Sequence, residues 1–567
     1  MNRYEILLKN WCDSIVSHQL TDDRLPQRGG LLCDACTAIH GRADNAVFPL
    51  AYVYKMTGDK KYLDAIYLLL DFRAGVTAPD GGIYNDGNNA WKATTTFSII
   101  GFYKTLVNLS DALPDELVKR LESALQSGAE WIYKNVVPGF FANINYYAAS
   151  AASMGMCGRY FKNENYIALS KTMLSYCMEH FTENGILMGE GHPHGDTTRR
   201  GCRPVDIGYD IEESIPCLAD AAEALGDTDT LKRLAELTLK FTDFILPDGG
   251  IDNTFGSRNN KWTYFGSRTS DGAVAAFVML AKYEPTLYEA AKRTAEQYEK
   301  CTADGLLYGG PHYKLLGQKP CIHHTFCHAA GLADALCGGL KEGLPAGTLP
   351  CDTVETKVKH YPEIDTYKIK RGNWLASVTG YDFSNFRGGA NHSSGGTLSM
   401  LYNRATGPVV MGSTLDYRLA EPLNMQLPMG GTRHSSLIMR LEYVEDGVRY
   451  VTCLDPDSVI NVKASGDTVA ADVTAHFVSL SGKSPKEQGL AAHLKYTFGD
   501  DVTINVSLER NVSGIEFILP IVTGSADVVT DADYKKEEIY YLSGGFAADE
   551  YRFECRDDIR VTIKAKA

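Results

Sequence analysis

A polar stretch between two helical patterns, ENGILMGEGHPHGDTTRRGCRPVDIGYDIEES, runs from Glu183 to Ser214. A connection of this length is usually functional or disordered, and its content of His, Tyr and Ile argues against a disordered linker. Its last part, VDIGYDIEES, places Tyr209 just before a helix whose first turn carries Glu212 and Glu213. Proton transfer is the chemistry that such side chains can perform, so we interpret this stretch as the rim of an active site.

Three further polar clusters fall at loops or helix starts of the N-terminal half: CDACTAIHGRADNA at 33–46, FFANINYYAAS at 140–150 and WTYFGSRTSDG at 262–272. Asn145 stands in the second cluster, where an asparagine can also be a simple N-cap. A fourth segment, CIHHTFCHA at 321–329, adds histidines. The residues that we predict to bind substrate are His40, Arg42, Trp91, Tyr146, Arg203, Glu213, Trp262, Arg268 and His324.

Two short patterns have spacings found in metal sites. Cys33 and Cys36 form a CxxC, but no second CxxC completes a structural zinc site, so two thiols near a turn are favoured. His324 and His328 are four residues apart, and without an HExxH glutamate or a third ligand a core or substrate-contact role is favoured. No metal site and no cofactor are predicted, although the sequence leaves a divalent cation open.

In the C-terminal half, NFRGGANHSSGGTLSMLYN at 385–403 surrounds His392 with glycines. An ordinary hairpin loop is the alternative to a loop that reaches the site. No phosphate loop, GxGxxG motif or GxSxG elbow occurs. The available Tyr, Asn, His and Arg side chains fit removal of a proton next to a carboxylate, with Arg, Asn or a neutral acid stabilising the charge. A glycosidase with two opposed carboxylates is the alternative, drawn from Asp80, Glu190, Asp206 and Glu213.

Helical periodicity repeats from the N-terminus to about residue 345. The predicted helices are 46–72, 91–109, 115–135, 145–160, 165–181, 211–225, 229–245, 269–283, 286–301 and 325–340. Two turns share a motif, PDGGIYND at 79–86 and PDGGIDNT at 247–254, which suggests a repeated helical hairpin. Residues 1–345 are therefore predicted to form an incomplete α/α toroid, with an open α-solenoid as the alternative. A Pro-, Gly- and charge-rich linker is predicted at 346–372, and alternating apolar runs predict an antiparallel β-sandwich over 373–567.

Composition limits the partners. The net charge of −14 argues against a nucleic-acid protein that binds by bulk charge, yet it is compatible with one anionic sugar in a local arginine pocket. No apolar run is long enough to span a membrane, and no signal peptide is visible. The 14 scattered cysteines favour a reducing compartment. A cytoplasmic location is therefore predicted, or a periplasmic or secreted one if a leader has been removed.

A helical toroid followed by a β-sandwich, with Asn-Tyr at a helix start, a tyrosine after the long loop and a β-domain histidine, resembles the toroid polysaccharide lyases such as heparinase II/III and alginate lyases. The segments CDACTAIHGRADNA, PVDIGYDIEES and CIHHTFCHA look most like the rhamnose–glucuronate lyases of polysaccharide lyase family 27. The resemblance implies β-elimination at a 4-O-linked glucuronate, such as the one that carries terminal L-rhamnose in arabinogalactan. It implies Asn145 as the carboxylate neutraliser, Tyr209 as the acid/base, and His194 and His392 as assisting histidines.

An acidic oligo- or polysaccharide is then the expected partner. Two alternatives remain: a glycoside hydrolase that acts on uronides from the same toroid, and a non-catalytic carbohydrate-binding protein. Product chemistry separates the lyase from the hydrolase, because elimination leaves a double bond conjugated to the carboxylate.

Overall fold

The chain folds as a helical domain followed by an antiparallel β domain, which confirms the predicted fold class. The structure, a computed structural model, describes residues 1–85, 90–190, 197–317, 319–345, 347–383, 392–415, 436–486, 489–541 and 543–566. The α-helices are α1 (Arg3–Ser17), α2 (Val47–Thr57), α3 (Lys60–Val76), α4 (Thr95–Leu109), α5 (Asp115–Asn135), α6 (Ile144–Phe161), α7 (Glu164–Met178), α8 (Ile207–Tyr209), α9 (Ile215–Leu225), α10 (Thr228–Phe241), α11 (Val274–Leu280), α12 (Leu287–Lys300) and α13 (Ile322–Cys337).

The inner helices form a ring. Helix α2 contacts α4, and the contacts continue through α6, α9 and α11 to α13, which packs against α1 and α2. Helices α4, α6 and α13 are buried on nearly all sides, as expected for helices that are apolar around their whole circumference. Outer helices such as α5, α10 and α12 each pack one apolar stripe against an inner partner. This arrangement is a toroid of helical hairpins.

The first helix lies earlier than any predicted helix, and the pattern at 46–72 contains one more break than predicted. Helix α1 was not among the predicted helices, and its capping box is made by Asn2 and Glu5. The pattern at 46–72 is two helices because Gly58, at φ +70°, ends α2 in the left-handed region and the Asp59 side chain caps α3. The repeated PDGG motif forms the same turn twice, closed by the bridges Thr77–Ile83 and Ile245–Ile251.

Over its described residues, the β domain forms three antiparallel sheets that share one apolar core. The strand order is β11-β10-β9-β8-β7 in the first sheet, β16-β13-β12-β19-β22-β21 in the second and β14-β15-β17-β18-β23-β20 in the third. The strands are β7 (Lys357–Tyr361), β8 (Thr366–Arg371), β9 (Trp374–Thr379), β10 (Thr397–Asn403), β11 (Gly407–Met411), β12 (Arg440–Glu445), β13 (Val448–Val451), β14 (Val459–Ser465), β15 (Thr468–His476), β16 (Val478–Ser479), β17 (Ala491–Phe498), β18 (Val502–Leu508), β19 (Glu516–Val522), β20 (Ala526–Thr530), β21 (Lys535–Tyr541), β22 (Phe546–Glu554) and β23 (Ile559–Ala565). The described part of the helical domain also contains three short hairpins whose strands are two residues long. They are β1 (Leu32–Cys33) with β2 (Ala38–Ile39), β3 (Trp262–Thr263) with β4 (Gly266–Ser267) and β5 (Thr302–Ala303) with β6 (Leu306–Leu307).

The predicted linker at 346–372 contains structure. Strands β7 and β8 occupy most of its second half and pair with each other in register. Two lysines of these strands face the toroid, where Lys368 Nζ lies 2.6 Å from Asp252 and Lys359 Nζ 2.7 Å from Asp243. Ion pairs with the other domain therefore explain part of the charge in these strands.

Within the described part of the chain, no helix combines the length and the apolar character needed to cross a membrane.

Candidate active site

Tyr209 lies in the first helical turn after the long polar loop. Asp206 caps this turn, because its Oδ1 accepts a hydrogen bond from the Tyr209 backbone N–H at 3.1 Å. The same carboxylate accepts from the Arg258 backbone N–H (2.8 Å) and from the Asn253 side-chain amide (3.0 Å). A five-residue π-turn, 210–214, then leads into α9. Such turns are frequent at functional sites. Tyr209 therefore lies between the Asp206 cap on its N-terminal side and the π-turn on its C-terminal side.

The Tyr209 side chain is buried among cations. Its hydroxyl shares a hydrogen bond with Thr269 Oγ1 and accepts another from Lys261 Nζ at 3.3 Å. The Arg258 guanidinium carbon lies 3.7 Å from the centre of the Tyr209 ring. Positive charges next to a phenol favour its deprotonated form. This tyrosine is therefore suited to take up a proton from a substrate.

Asn145, at the start of α6, connects two buried carboxyl groups. Its side-chain amide donates to Glu213 Oε2 at 3.2 Å, and its backbone N–H donates to Glu190 Oε1 at 3.1 Å. Burial raises the pKa of Glu213 to about 8 and that of Glu190 to about 7. Glu213 is therefore mostly a neutral acid at pH 7, able to donate a hydrogen bond. The Asn145 side-chain oxygen is buried without a hydrogen-bond partner.

Arg42 completes a closed circuit of contacts around these groups. It donates to the Thr269 carbonyl oxygen (3.0 Å) and to Asp271 Oδ1 (2.7 Å), and its NH1 lies 3.9 Å from Glu213 Oε1. On the opposite side, Arg258 NH1 donates to Glu190 Oε2 at 3.0 Å. The circuit runs Tyr209–Thr269–Arg42–Glu213–Asn145–Glu190–Arg258 and returns to the Tyr209 ring. We call these seven residues the site circuit.

The site circuit unites a base candidate with groups that can hold a carboxylate. A neutral acid, an amide and an arginine are the side chains that stabilise negative charge as it spreads onto a uronate carboxylate. A tyrosine between a lysine and a threonine can accept the proton from the adjacent carbon. Four predicted residues, Tyr209, Asn145, Arg42 and Glu213, are thus brought together.

Two predicted aromatic residues form a wall beside Asn145. Trp91 Nε1 donates to the Tyr146 hydroxyl at 2.9 Å, and the two rings meet edge to face at 5.2 Å. Both residues are half-buried. Partly exposed aromatic rings next to polar groups are suited to contact with sugar rings.

Three other predicted residues, Arg268, His324 and His40, are also buried. Arg268 donates to the Tyr313 hydroxyl. Burial and the charge of Arg268 lower the pKa of His324 well below its usual range, and neither His324 ring nitrogen has a hydrogen-bond partner. His40 directs its Nε2 at the Cys36 sulfur, 3.2 Å away. None of these contacts joins His324 or His40 to the site circuit.

The remaining predicted residues lie at the domain interface, at the surface or outside the described residues. Trp262 is buried against Phe546 and donates its N–H to the Ile251 carbonyl. Arg203 is exposed. His392 is buried with its ring 5.1 Å from that of Tyr381, whose hydroxyl donates to the Arg203 carbonyl. His194 falls outside the described residues, so its role stays a prediction.

Sequence reasoning missed three members of this neighbourhood and misjudged a fourth. Arg258 and Lys261 stand in SRNNK, immediately before the WTYFGSRTSDG cluster, and Thr269 lies inside that cluster. Glu190 was considered only as a hydrolase carboxylate. Two basic residues beside a cluster of aromatic and polar residues were the available signal.

The four carboxylates that were considered for a hydrolase have different surroundings in the structure. Asp80 is exposed and pairs with Lys92, and Asp206 is committed to the cap of Tyr209. Glu190 accepts hydrogen bonds from Asn145, which also bonds Glu213, and from Arg258, which also bonds Asp206. Among the described residues, one group has metal-ligand spacing, Cys33, Cys36 and Cys321, and it contains none of these carboxylates.

Comparison with known proteins assigns the two domains. Residues 8–343 match the family model of the ulvan lyase N-terminal domain, and residues 358–545 match that of the ulvan lyase C-terminal domain. A broad-specificity ulvan lyase of Formosa agariphila is 33% identical over 536 residues, which cover 92% of this chain and 83% of that protein.

Solved structures show the same fold at low identity. The chondroitin AC lyase of Streptomyces coelicolor A3, in complex with chondroitin sulphate, is 13% identical with a TM-score of 0.57, covering 100% of this chain and 80% of its own. Heparinase III is 14% identical with a TM-score of 0.52, covering 92% and 76% respectively. The expected toroid polysaccharide lyase is thereby confirmed, whereas the closer resemblance to polysaccharide lyase family 27 is not shown.

Proposed function

This chain belongs to the ulvan lyase family and is a polysaccharide lyase, and on that premise we propose that it cleaves the bond at O4 of a glucuronate residue by β-elimination. The proposed substrate is an ulvan-type polysaccharide, which contains rhamnose and glucuronic acid. The predicted arabinogalactan side chain contains the same two sugars, so it is the second substrate to test.

The observation that carries this proposal is the site circuit. Glu213, Asn145 and Arg42 hold the uronate carboxylate, and the negative charge that develops there as C5 loses its proton is stabilised by these groups. The Tyr209 phenolate takes the C5 proton, the C5 electron pair forms the C4–C5 double bond, and the C4–O4 bond breaks. The departing oxygen takes a proton, either from Tyr209 or from one of the two predicted assisting histidines, His194 and His392. Lys261 and Arg258 favour the phenolate at the start of the cycle.

The decisive experiment is ultraviolet absorbance during digestion of ulvan. Elimination creates a double bond conjugated to the carboxylate, which absorbs where the saturated polymer does not, whereas hydrolysis creates none. Carboxyl-reduced ulvan is the matched substrate control, because it lacks the carboxylate that the site circuit is proposed to hold. Cleavage without new absorbance, or equal cleavage of the reduced polymer, would contradict the proposal.

A tyrosine variant tests the assigned base. Tyr209→Phe removes the hydroxyl bonded to Thr269 and Lys261 and should lower kcat by at least about a thousandfold with little change in substrate binding. Tyr298→Phe is the matched control, because it removes a buried hydroxyl that donates to Glu212 at 3.2 Å, outside the site circuit. This control should keep kcat within a few-fold. A Tyr209→Phe enzyme with near-normal kcat would remove Tyr209 from the mechanism.

A further inference from the structure

Three buried thiols meet at one point although the chain separates them widely. Ligand atoms of Cys33, Cys36 and Cys321 all lie within 4.8 Å of one another, and the Cys33 and Cys321 sulfurs are 3.7 Å apart. Cys33 and Cys321 are 288 positions apart in sequence. All three are free thiols, and the site circuit does not include them. Packing alone does not require three sulfurs to converge.

The backbone around the CxxC presents its two sulfurs in one direction. Strands β1 and β2 pair Cys33 with Ala38, so the segment 34–37 forms a tight turn. Thr37 adopts φ +53°, a conformation that costs a β-branched residue energy. Cys321 approaches from the other side, at the residue that precedes α13.

A histidine beside the three sulfurs can supply a fourth ligand. His40 is fully buried, and its Nε2 lies 3.2 Å from the Cys36 sulfur. Its Nδ1 has no hydrogen-bond partner, and its ring contacts that of His323 at 4.3 Å. Zn–S bonds of about 2.3 Å place the sulfurs of a tetrahedral zinc site about 3.8 Å apart, and a shorter Zn–N bond brings nitrogen and sulfur to about 3.5 Å. The Cys33–Cys321 separation of 3.7 Å and the Cys36–His40 separation of 3.2 Å are near these values. The three sulfurs lie within 4.8 Å of one another without His40, so closing the site around an ion requires the His40 ring to move toward them.

We infer that Cys33, Cys36, Cys321 and His40 bind one structural Zn²⁺ ion in a closed Cys₃His site. Thiolate and imidazole ligands select zinc over the hard cations Mg²⁺ and Ca²⁺. Four protein ligands leave no position for water or substrate, which is typical of a structural rather than a catalytic site. Binding converts three thiols into thiolates and releases their three protons, and no oxidant or reductant takes part.

The zinc ion would connect the first and last parts of the toroid. It joins the turn that precedes α2 to the start of α13, next to the place where α13 packs on α1 and α2. Arg42 follows His40 by two residues and belongs to the site circuit. The ion therefore fixes the segment that positions Arg42 without touching substrate. The inference stands independently of the proposed substrate, because it concerns only these four ligands.

Metal analysis of the purified full-length enzyme tests the site. Protein expressed with zinc and passed through a chelating column should contain about one zinc per chain, measured by elemental mass spectrometry. Cys321→Ser and Cys33→Ser should lower this to under about a tenth. Cys301→Ser, a buried free cysteine outside the cluster, is the matched control and should retain the metal. Zinc retained in full by Cys321→Ser would overturn the assignment.

Spectroscopy on the unaltered protein keeps the test decisive if the variants fail to fold. X-ray absorption at the zinc edge should show three sulfur ligands at about 2.3 Å and one nitrogen at about 2.0 Å. Only oxygen and nitrogen ligands, or no zinc in protein supplied with it, would overturn the inference. A disulfide is the competing arrangement, and it would leave 12 of the 14 thiols titratable in the denatured, chelated protein instead of all 14.

Discussion

Glu213→Gln tests whether Glu213 acts in the site circuit as a neutral acid or as a charged carboxylate. Burial raises the pKa of Glu213 from an ordinary 4.5 to about 8, a difference of about 3.5 pH units that favours the protonated form by on the order of 5 kcal/mol. At pH 7 about nine-tenths of the enzyme then carries neutral Glu213. Glutamine has nearly the same shape and stays neutral at every pH, so it mimics the protonated acid.

The pH profile of kcat/KM on ulvan measures this difference, because it reports groups of the free enzyme. Wild-type kcat/KM should fall about tenfold per pH unit above about 8, as Glu213 becomes charged and repels the uronate carboxylate. Glu213→Gln should keep at least about a tenth of the activity at pH 7 and lose this alkaline decline. An unchanged decline near pH 8 in Glu213→Gln would refute the assignment of a neutral acid to Glu213.

The same substitution changes how stability depends on pH. Because the folded-state pKa of Glu213 lies above its unfolded value, the native state binds more protons between about pH 4.5 and about pH 8. The free energy of unfolding therefore falls as pH rises through this window. Urea denaturation should show a shallower fall in Glu213→Gln, while Glu190, whose pKa is raised to about 7, continues to contribute in the same direction. Identical slopes in the two proteins would contradict this reasoning.

Three further substitutions test individual contacts. Lys261→Met removes the ammonium 3.3 Å from the Tyr209 hydroxyl, so kcat should fall about ten- to a hundredfold. Lys282→Met, at an exposed lysine, should leave kcat unchanged, and equal kcat values in the two variants would remove Lys261 from the mechanism. Asp206→Ala loses the acceptor of three hydrogen bonds and should lower the free energy of unfolding by roughly 3 kcal/mol in urea denaturation. Asp227→Ala, which removes a half-buried helix cap, should lower it by about 1 kcal/mol. Equal losses would show that burial at Asp206 contributes nothing extra. Gly266→Ala would place its Cβ 1.9 Å from the Glu212 carboxyl carbon, whereas a Cβ at Gly139 would meet no atom within 4 Å. Gly266→Ala should therefore lower the thermal unfolding midpoint far more than Gly139→Ala. Similar midpoints in the two variants would contradict this packing.

Periodicity and local chemistry were sufficient to predict the order of domains and most helices, because each helix carries its own apolar stripe. The same reasoning selected Tyr209, Asn145, Arg42 and Glu213, which the toroid brings into one circuit. It did not select Lys261, because a lysine outside the apolar pattern resembles a solvated surface residue until the partner that it faces is known.

Long-range proximity was the part that sequence could not supply. The CxxC at 33–36 lacked further ligands in sequence, and the third thiol, Cys321, becomes its neighbour only because α13 returns to the start of the chain. The strands inside 346–372 were missed for a related reason, since their lysines pair with aspartates of the other domain.

The closed ring has a consequence for synthesis on the ribosome. Helix α1 finds its partners nearly 300 positions later: the Trp11 indole N–H donates to Thr302, 291 residues away. Helical hairpins can form as they emerge, and α1 can meet α2 and α3 early, but the part of its apolar face that packs on α13 stays uncovered until α13 has been made. Contacts of such high sequence separation form late and slowly, so a nascent chain that lacks α13 exposes adhesive surface for most of its translation. The arrangement that closes the finished toroid thus leaves part of the core of the unfinished chain exposed to solvent.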